Sequence, residues 1–152
     1  MIDEPIALEP EELKHGLMPR LARGDVACAA RGVWRAYGGT PGRSRYAESP
    51  RGRLMAALER AVGAEPASQI VITGHSMGGS LATLCAHDLL CAREIAPRQR
   101  PVVCVTFGAT RSFNGTFRRV NQRLQHTGRL LALRVVNAGD VVPRLAFDMP
   151  LG

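Results

Sequence analysis

Residues 70–84 read Ile70-Val71-Ile72-Thr73-Gly74-His75-Ser76-Met77-Gly78-Gly79-Ser80-Leu81-Ala82-Thr83-Leu84, and three patterns succeed one another in this stretch. The first four residues, apolar or β-branched, form a short strand signal of the buried kind. Two glycines then bracket a serine as Gly74-His75-Ser76-Met77-Gly78. From residue 80 to about residue 93 the apolar positions recur at helical spacing, with Leu81, Leu84, Cys85, Leu89 and Leu90 available to a sheet. A strand passing through Gly-x-Ser-x-Gly into a helix is the setting of a nucleophile elbow, in which a strained turn lifts the serine hydroxyl above the carboxyl end of the strand. Gly74 and Gly78 are expected there because a side chain would collide with the neighbouring strand or helix. The pentapeptide alone is only moderately specific, since a glycine-rich turn with a capping serine has the same composition.

Outward from the elbow, the rest of the chain supplies the sheet. Pro101 precedes a second apolar strand, Val102–Phe107, and a loop with a short helix leads to a third over residues 130–136. Upstream, Ser49 can cap a helix that starts at Pro50, with Leu54, Met55, Leu58, Ala61 and Val62 on one face and Gly63 as its stop. Gly38-Gly39-Thr40-Pro41-Gly42 reads as a turn or loop. Three apolar strands separated by helical segments imply an α/β fold, with a mainly parallel sheet and helices on both faces.

Composition narrows the class. The chain has 152 residues, 45% hydrophobic and 22% charged, which excludes a disordered chain and a disulfide scaffold. At this length one domain can bury roughly two thirds of its unfolded surface, so residues 1–152 read as a single domain with a poorly readable acidic start over residues 1–24. No apolar run approaches the roughly 18–20 residues of a membrane span, and the acidic, proline-broken start is unlike a signal peptide, so a cytoplasmic location is the default reading. The four cysteines lack zinc-ligand spacing and read as free thiols, so no metal and no cofactor are expected. Net charge is +7, and over residues 14–152 twenty basic groups face eight acidic ones. Nineteen of those twenty are arginines scattered without aromatic platforms, which points away from nucleic acid and toward a solvated basic surface suited to an anionic lipid interface. No internal repeat occurs, and nothing in the sequence sets an oligomeric state.

Several ordered motifs over about residues 31–146 resemble the class 3 (fungal-type) lipases of the α/β-hydrolase fold. Residues 72–84 are close to that family's nucleophile block, its most specific match. Thr106-Phe107-Gly108 with Arg111, Asn114 and Phe117 resembles the next block, with Thr110 where a proline is usual. Arg134-Val135-Val136-Asn137-Ala138-Gly139-Asp140-Val141-Val142-Pro143-Arg144-Leu145 resembles the block carrying the catalytic acid, which falls on Asp140. Residues 31–37 look like a weaker segment upstream. The resemblance implies a lipase-like serine hydrolase of acylglycerol-type esters, with lipid or ester as substrate, Ser76 as nucleophile and Asp140 orienting a histidine. Geometry agrees: parallel neighbouring strands would set Ser76 and Asp140 at carboxyl ends about 10 Å apart, a gap one imidazole bridges. The Met77 backbone N–H would be the first oxyanion donor, although Met77 also reads as a core contact, and Asp140 also reads as a turn-former after Gly139.

No histidine follows His126, so the base that the hydrolase order places after the acid is missing, and the chain is expected to be incomplete at both ends. His75 reads as part of the elbow and His87 as lying about 16 Å along the following helix. His126 reads as a surface or helix-end residue, and His15, in the unreadable start, stays open. The Arg-Gly-Thr or Arg-Gly-Ser marker of the family's second oxyanion donor has only a superficial counterpart in Ala30-Arg31-Gly32. The competing reading is a non-catalytic hydrolase-like binding module.

Overall fold

The computed structural model describes residues 6–7, 27–38, 49–91 and 100–144. Its centre is a parallel three-stranded sheet in the order β3 (Val71–His75), β4 (Val102–Phe107), β5 (Leu130–Val135). Val71 lies opposite Val103 and His75 opposite Phe107, while Val102 lies opposite Leu130 and Phe107 opposite Val135. The three strands therefore end level with one another. A separate antiparallel pair joins β1 (Ile6–Ala7) to β2 (Cys28–Ala29), the one described part of the acidic start.

Parallel neighbours need crossovers, and α3 (Met77–Cys91) and α4 (Gly115–His126) supply them. They lie side by side on one face of the sheet, with the His87 ring stacked on Phe117 at a centroid distance of 4.4 Å. From Leu84 to Leu90 every residue of α3 is buried, which is why this helix is apolar around most of its circumference. Leu84, Leu89, Leu90, Phe117, Val102 and Leu130 are the principal contents of the core, each contributing about 1.5–3 kcal/mol by burial. Cys85 and Cys104 are free and buried in it.

The other sheet face is also apolar, and it is open. Val71 is 60% exposed, Leu131 54% and Leu133 59%, with Phe107 and Val135 also exposed. Among the described residues the helices cover one face, so the expected covering of both faces is seen on that side only. The apolar content that made 70–73 read as a buried strand is present, but alternate residues of β3 point to solvent.

Outside the sheet, α2 (Pro50–Ala64) starts as expected: the Ser49 hydroxyl accepts from the Gly52 N–H at 3.1 Å, and Pro50 occupies the first helical position. The helix passes through Gly63, and its apolar face is only half-buried, with Met55, Leu58 and Val62 against the core. Residues 31–38 form α1, whose Val33 and Tyr37 are buried. Asp88 of α3 joins the three helices: it accepts from the Tyr37 hydroxyl at 2.8 Å and from Arg51 Nε and Nη2, each at 2.7 Å. The helix before β5 is twelve residues long rather than short, because the Asn114 side chain caps it by accepting from the Phe117 N–H at 2.9 Å. β5 ends at Val135, one residue earlier than expected. Of the turn at 38–42, Gly38 closes α1 and residues 39–42 lie outside the described residues.

Candidate active site

Ser76 is the residue between β3 and α3, and its φ is +54°, the one positive value at a non-glycine position among the described residues. Such a left-handed conformation costs an L-residue about 1–2 kcal/mol, so the surroundings must hold it there. They do so from both sides: the Ser76 N–H donates to the Phe107 carbonyl at 2.9 Å, and the Ser76 carbonyl accepts from the Gly79 N–H at 3.0 Å. Ser76 thus stands on a strained strand-to-helix turn.

Its glycines divide differently from the motif. A Cβ on Gly74 would fall inside the contact distance of the Gly78 carbonyl, and one on Gly79 would sit 2.7 Å from Ala109 Cβ. At Gly78 nothing lies within 4 Å. The close approach of strand and helix thus rests on Gly74 and on Gly79, which lies just outside the pentapeptide, and the collision expected for Gly78 does not occur among the described residues. Met77, 54% exposed, is the first residue of α3, where no preceding turn supplies a carbonyl for its N–H. Its side chain lies outside the core formed by the described residues.

Asp140 lies beyond β5, on a turn that begins at Asn137, whose carbonyl accepts from the Asp140 N–H at 3.1 Å. Oδ1 accepts from the Val142 N–H at 2.9 Å, so the turn-forming role is real. Oδ2 is aimed elsewhere. A Cβ on Gly108 would stand 3.1 Å from Asp140 Oδ2 and 3.7 Å from His75 Nε2. Gly108 follows β4 with φ +55°, and its N–H donates to the Val135 carbonyl at 2.9 Å. The half-buried Asp140 carboxylate therefore lies over Gly108 at the end of β4, the glycine that the His75 ring of β3 also approaches.

The remaining histidines separate as expected. His87 is buried between α3 and α4, with Nδ1 on Asn121 Oδ1 at 2.9 Å, and burial lowers its pKa below the ordinary imidazole value. His126 is exposed at the end of α4, and His15 lies outside the described residues. Among the described residues no imidazole is hydrogen-bonded to Ser76 or Asp140, and no group of three metal-ligating side chains occurs. No helix among them is long and apolar enough to cross a membrane.

The family model for lipase (class 3) matches residues 11–149. This chain belongs to the class 3 lipase family. A chloroplastic phospholipase A(1) of Arabidopsis thaliana is 37% identical over 91 residues, covering 60% of this chain and 19% of the relative. A phospholipase A1 of Oryza sativa subsp. indica is 32% identical over 119 residues, covering 74% of this chain and 25% of the relative. The triacylglyceride lipase of Rhizomucor miehei has the same fold, with a TM-score of 0.65 at 22% identity over 95% of this chain and 44% of its own. The chain thus spans a quarter or less of these plant relatives and under half of the fungal enzyme.

This class 3 lipase chain also holds residues at the site that the motif reading passed over. Ser80, fully buried in the first turn of α3, shares hydrogen bonds of 2.7 Å with Thr110 Oγ1 and 3.2 Å with Ser112 Oγ. Thr110, standing where the family usually has proline, is therefore the centre of a hydroxyl cluster that ties the elbow helix to the loop after β4. The small polar residues at 110 and 112 were the available signal, but Ser80 is thirty positions away from them.

Proposed function

We propose that residues 1–152 are one partial lipase-like hydrolase domain whose Ser76 attacks acylglycerol-type carboxylic esters. In this reading Ser76 Oγ adds to the ester carbonyl carbon while its proton passes to an imidazole, and the carbonyl oxygen becomes an anion facing the Met77 N–H. The imidazole, now cationic, is oriented by Asp140 and returns its proton to the departing alcohol as the tetrahedral intermediate collapses. Water then cleaves the acyl-serine by the same steps. The observation that carries the reading is the left-handed Ser76 at the end of β3, with the Asp140 carboxylate over Gly108 at the end of the neighbouring β4. The names of the relatives, phospholipase A1 and lipase, support lipid ester as the substrate, and the arginine-rich surface fits an anionic lipid interface.

No described imidazole is hydrogen-bonded to Ser76 or Asp140, and this supports a second reading, a hydrolase-like module that binds an acyl ligand without cleaving it. A fluorophosphonate probe separates the two. With free imidazole added as base, the folded chain should be labelled and Ser76→Ala should not. Equal labelling of both, or none of a chain whose circular dichroism shows it folded, would overturn the nucleophile assignment and favour the binding module.

A further inference from the structure

A cavity of about 640 Å³ lies on the helical side of the sheet, between α4 and the segments that follow β4 and β5. Four guanidinium groups line it from four parts of the fold: Arg111 from the loop after β4, Arg118 from α4, Arg134 from β5 and Arg144 from the short 3-10 turn Val142–Arg144. No carboxylate lines it among the described residues. The acid of the neighbouring loop, Asp140, is committed elsewhere, with Oδ1 on the Val142 N–H and Oδ2 against Gly108.

Like charges gathered from separate elements repel one another unless a counter-charge joins them. Two of these cations are nevertheless held in place by neutral partners. Arg134 Nη2 donates to the Ala109 carbonyl at 2.7 Å and the Pro143 carbonyl at 3.1 Å, and Arg144 Nη2 donates to the Ala138 carbonyl at 3.0 Å. These bonds fix the guanidinium planes and leave their charge uncompensated. Arg111 and Arg118 are exposed, and their side chains hydrogen-bond to no other described residue. Burial and the charge of Arg111 both press the Arg134 pKa down, the direction expected where a cation lacks its anion.

The wall completes a small-molecule site. Asn121, which also lines the cavity, gives its carbonyl oxygen to His87, so its amide N–H₂ takes no part in that bond. Phe113, half-buried and stacked at 4.1 Å on the buried Phe117, provides an apolar surface beside the arginines. The volume exceeds what a bare tetrahedral anion needs and falls in the range of pockets that hold small organic ligands.

We propose that this cavity is a second ligand site, apart from Ser76, that binds a phosphate monoester group through Arg111, Arg118, Arg134 and Arg144 with its organic body against Phe113. Planar guanidinium forks match the paired oxygens of a phosphate, and a dianion answers a cluster of four cations better than a carboxylate does. The group arrives either on a soluble metabolite or on a lipid head group, and the chemistry is common to both.

Binding is measured on the full chain with three probes: inorganic phosphate and glycerol 3-phosphate by calorimetry, and phosphatidylcholine vesicles with and without phosphatidic acid by co-sedimentation. Arg111→Gln with Arg118→Gln should weaken binding about tenfold or more. Arg35→Gln with Arg60→Gln removes the same charge from the exposed faces of α1 and α2 and should leave it unchanged. Saturable binding of glycerol 3-phosphate identifies a soluble ligand; retention only by phosphatidic acid vesicles identifies the head group. Equal weakening by the two double variants would reduce the effect to net charge and overturn the site. So would equal retention on pure phosphatidylcholine, or no saturable binding of any probe. Ser76→Ala should bind as wild type does, so this test and that of the nucleophile fail separately.

Discussion

Replacing Gly74 and Gly78 one at a time by alanine should have opposite effects, although both belong to the same pentapeptide. At Gly74 the added methyl meets the Gly78 carbonyl group and stands 2.8 Å from Gly79 N, all backbone atoms that cannot rotate away. Carbon atoms prefer separations of about 3.5–4.0 Å, so the end of β3 and the start of α3 must part by roughly 1 Å. Overpacking a core costs about 1–3 kcal/mol, and with backbone on both sides the upper figure applies. For a chain of this size each kcal/mol moves Tm by about 2–4 °C, which places Gly74→Ala about 6–12 °C below wild type. At Gly78 the methyl enters open space in the first turn of α3, where alanine is better than glycine by about 0.5–1 kcal/mol. Its Tm should rise by about 1–4 °C. Thermal unfolding followed by far-ultraviolet circular dichroism measures both. A Gly74→Ala variant as stable as wild type, or a Gly78→Ala variant that falls as far as Gly74→Ala, would refute the strand-to-helix contact as the reason for the first glycine.

Asp88→Ala should cost about 3–5 kcal/mol, because it strands the buried Tyr37 hydroxyl and the Arg51 guanidinium together, whereas Arg51→Met, at a partly exposed position, should cost less. Urea unfolding midpoints rank the two. Thr110→Val should cost about 1–3 kcal/mol by leaving Ser80 and Ser112 short of a partner, again read from urea unfolding. His87, buried with its pKa lowered mainly by desolvation, binds its proton less readily folded than unfolded. Its contribution to stability is complete above the unfolded pKa of about 6.5 and is lost as pH falls below it, by at most about 1.4 kcal/mol per pH unit. Comparing the pH slope of the urea midpoint in wild type and His87→Phe checks this, and an unchanged slope would count against it. The Cys85 thiol is pushed up to about 11, chiefly by burial, so native Cys85 should resist iodoacetamide at pH 8 and react once the chain is unfolded in urea, as peptide mapping would show.

The strands were legible because each is a short run of β-branched or aliphatic residues with a turn signal beside it, and β4 was read to its exact ends. Helix α2 was legible through its serine and proline. Helix α4 looked shorter than it is because its apolar residues, Phe117, Val120 and Leu124, are spread thinly among arginines and glutamines, and Asn114 was read as part of a motif rather than as a cap. Helix α1, with only Val33 and Tyr37 buried, is too short to show a period. At the site, Ser76 could be named from its local pattern, whereas Asp140, which reads equally as a turn-former after Gly139, was singled out by the family resemblance. The hydroxyl cluster of Ser80, Thr110 and Ser112 could not, because nothing near any one of them announces the other two.

The sequence by itself determined a Gly-x-Ser-x-Gly turn between a strand and a helix, and three strands joined by helical crossovers and therefore parallel, because strand propensity, turn chemistry and the length of the intervening helices are local properties. Only the tertiary structure decided which glycines the strand-to-helix turn needs, that the Asp140 carboxylate divides its oxygens between its own turn and the end of β4, that the described helices cover one sheet face, and that four arginines share a cavity. Each of these depends on distances between residues far apart in the chain, and such distances exist only once β3, β4 and β5 are in register with α3 and α4 packed across them.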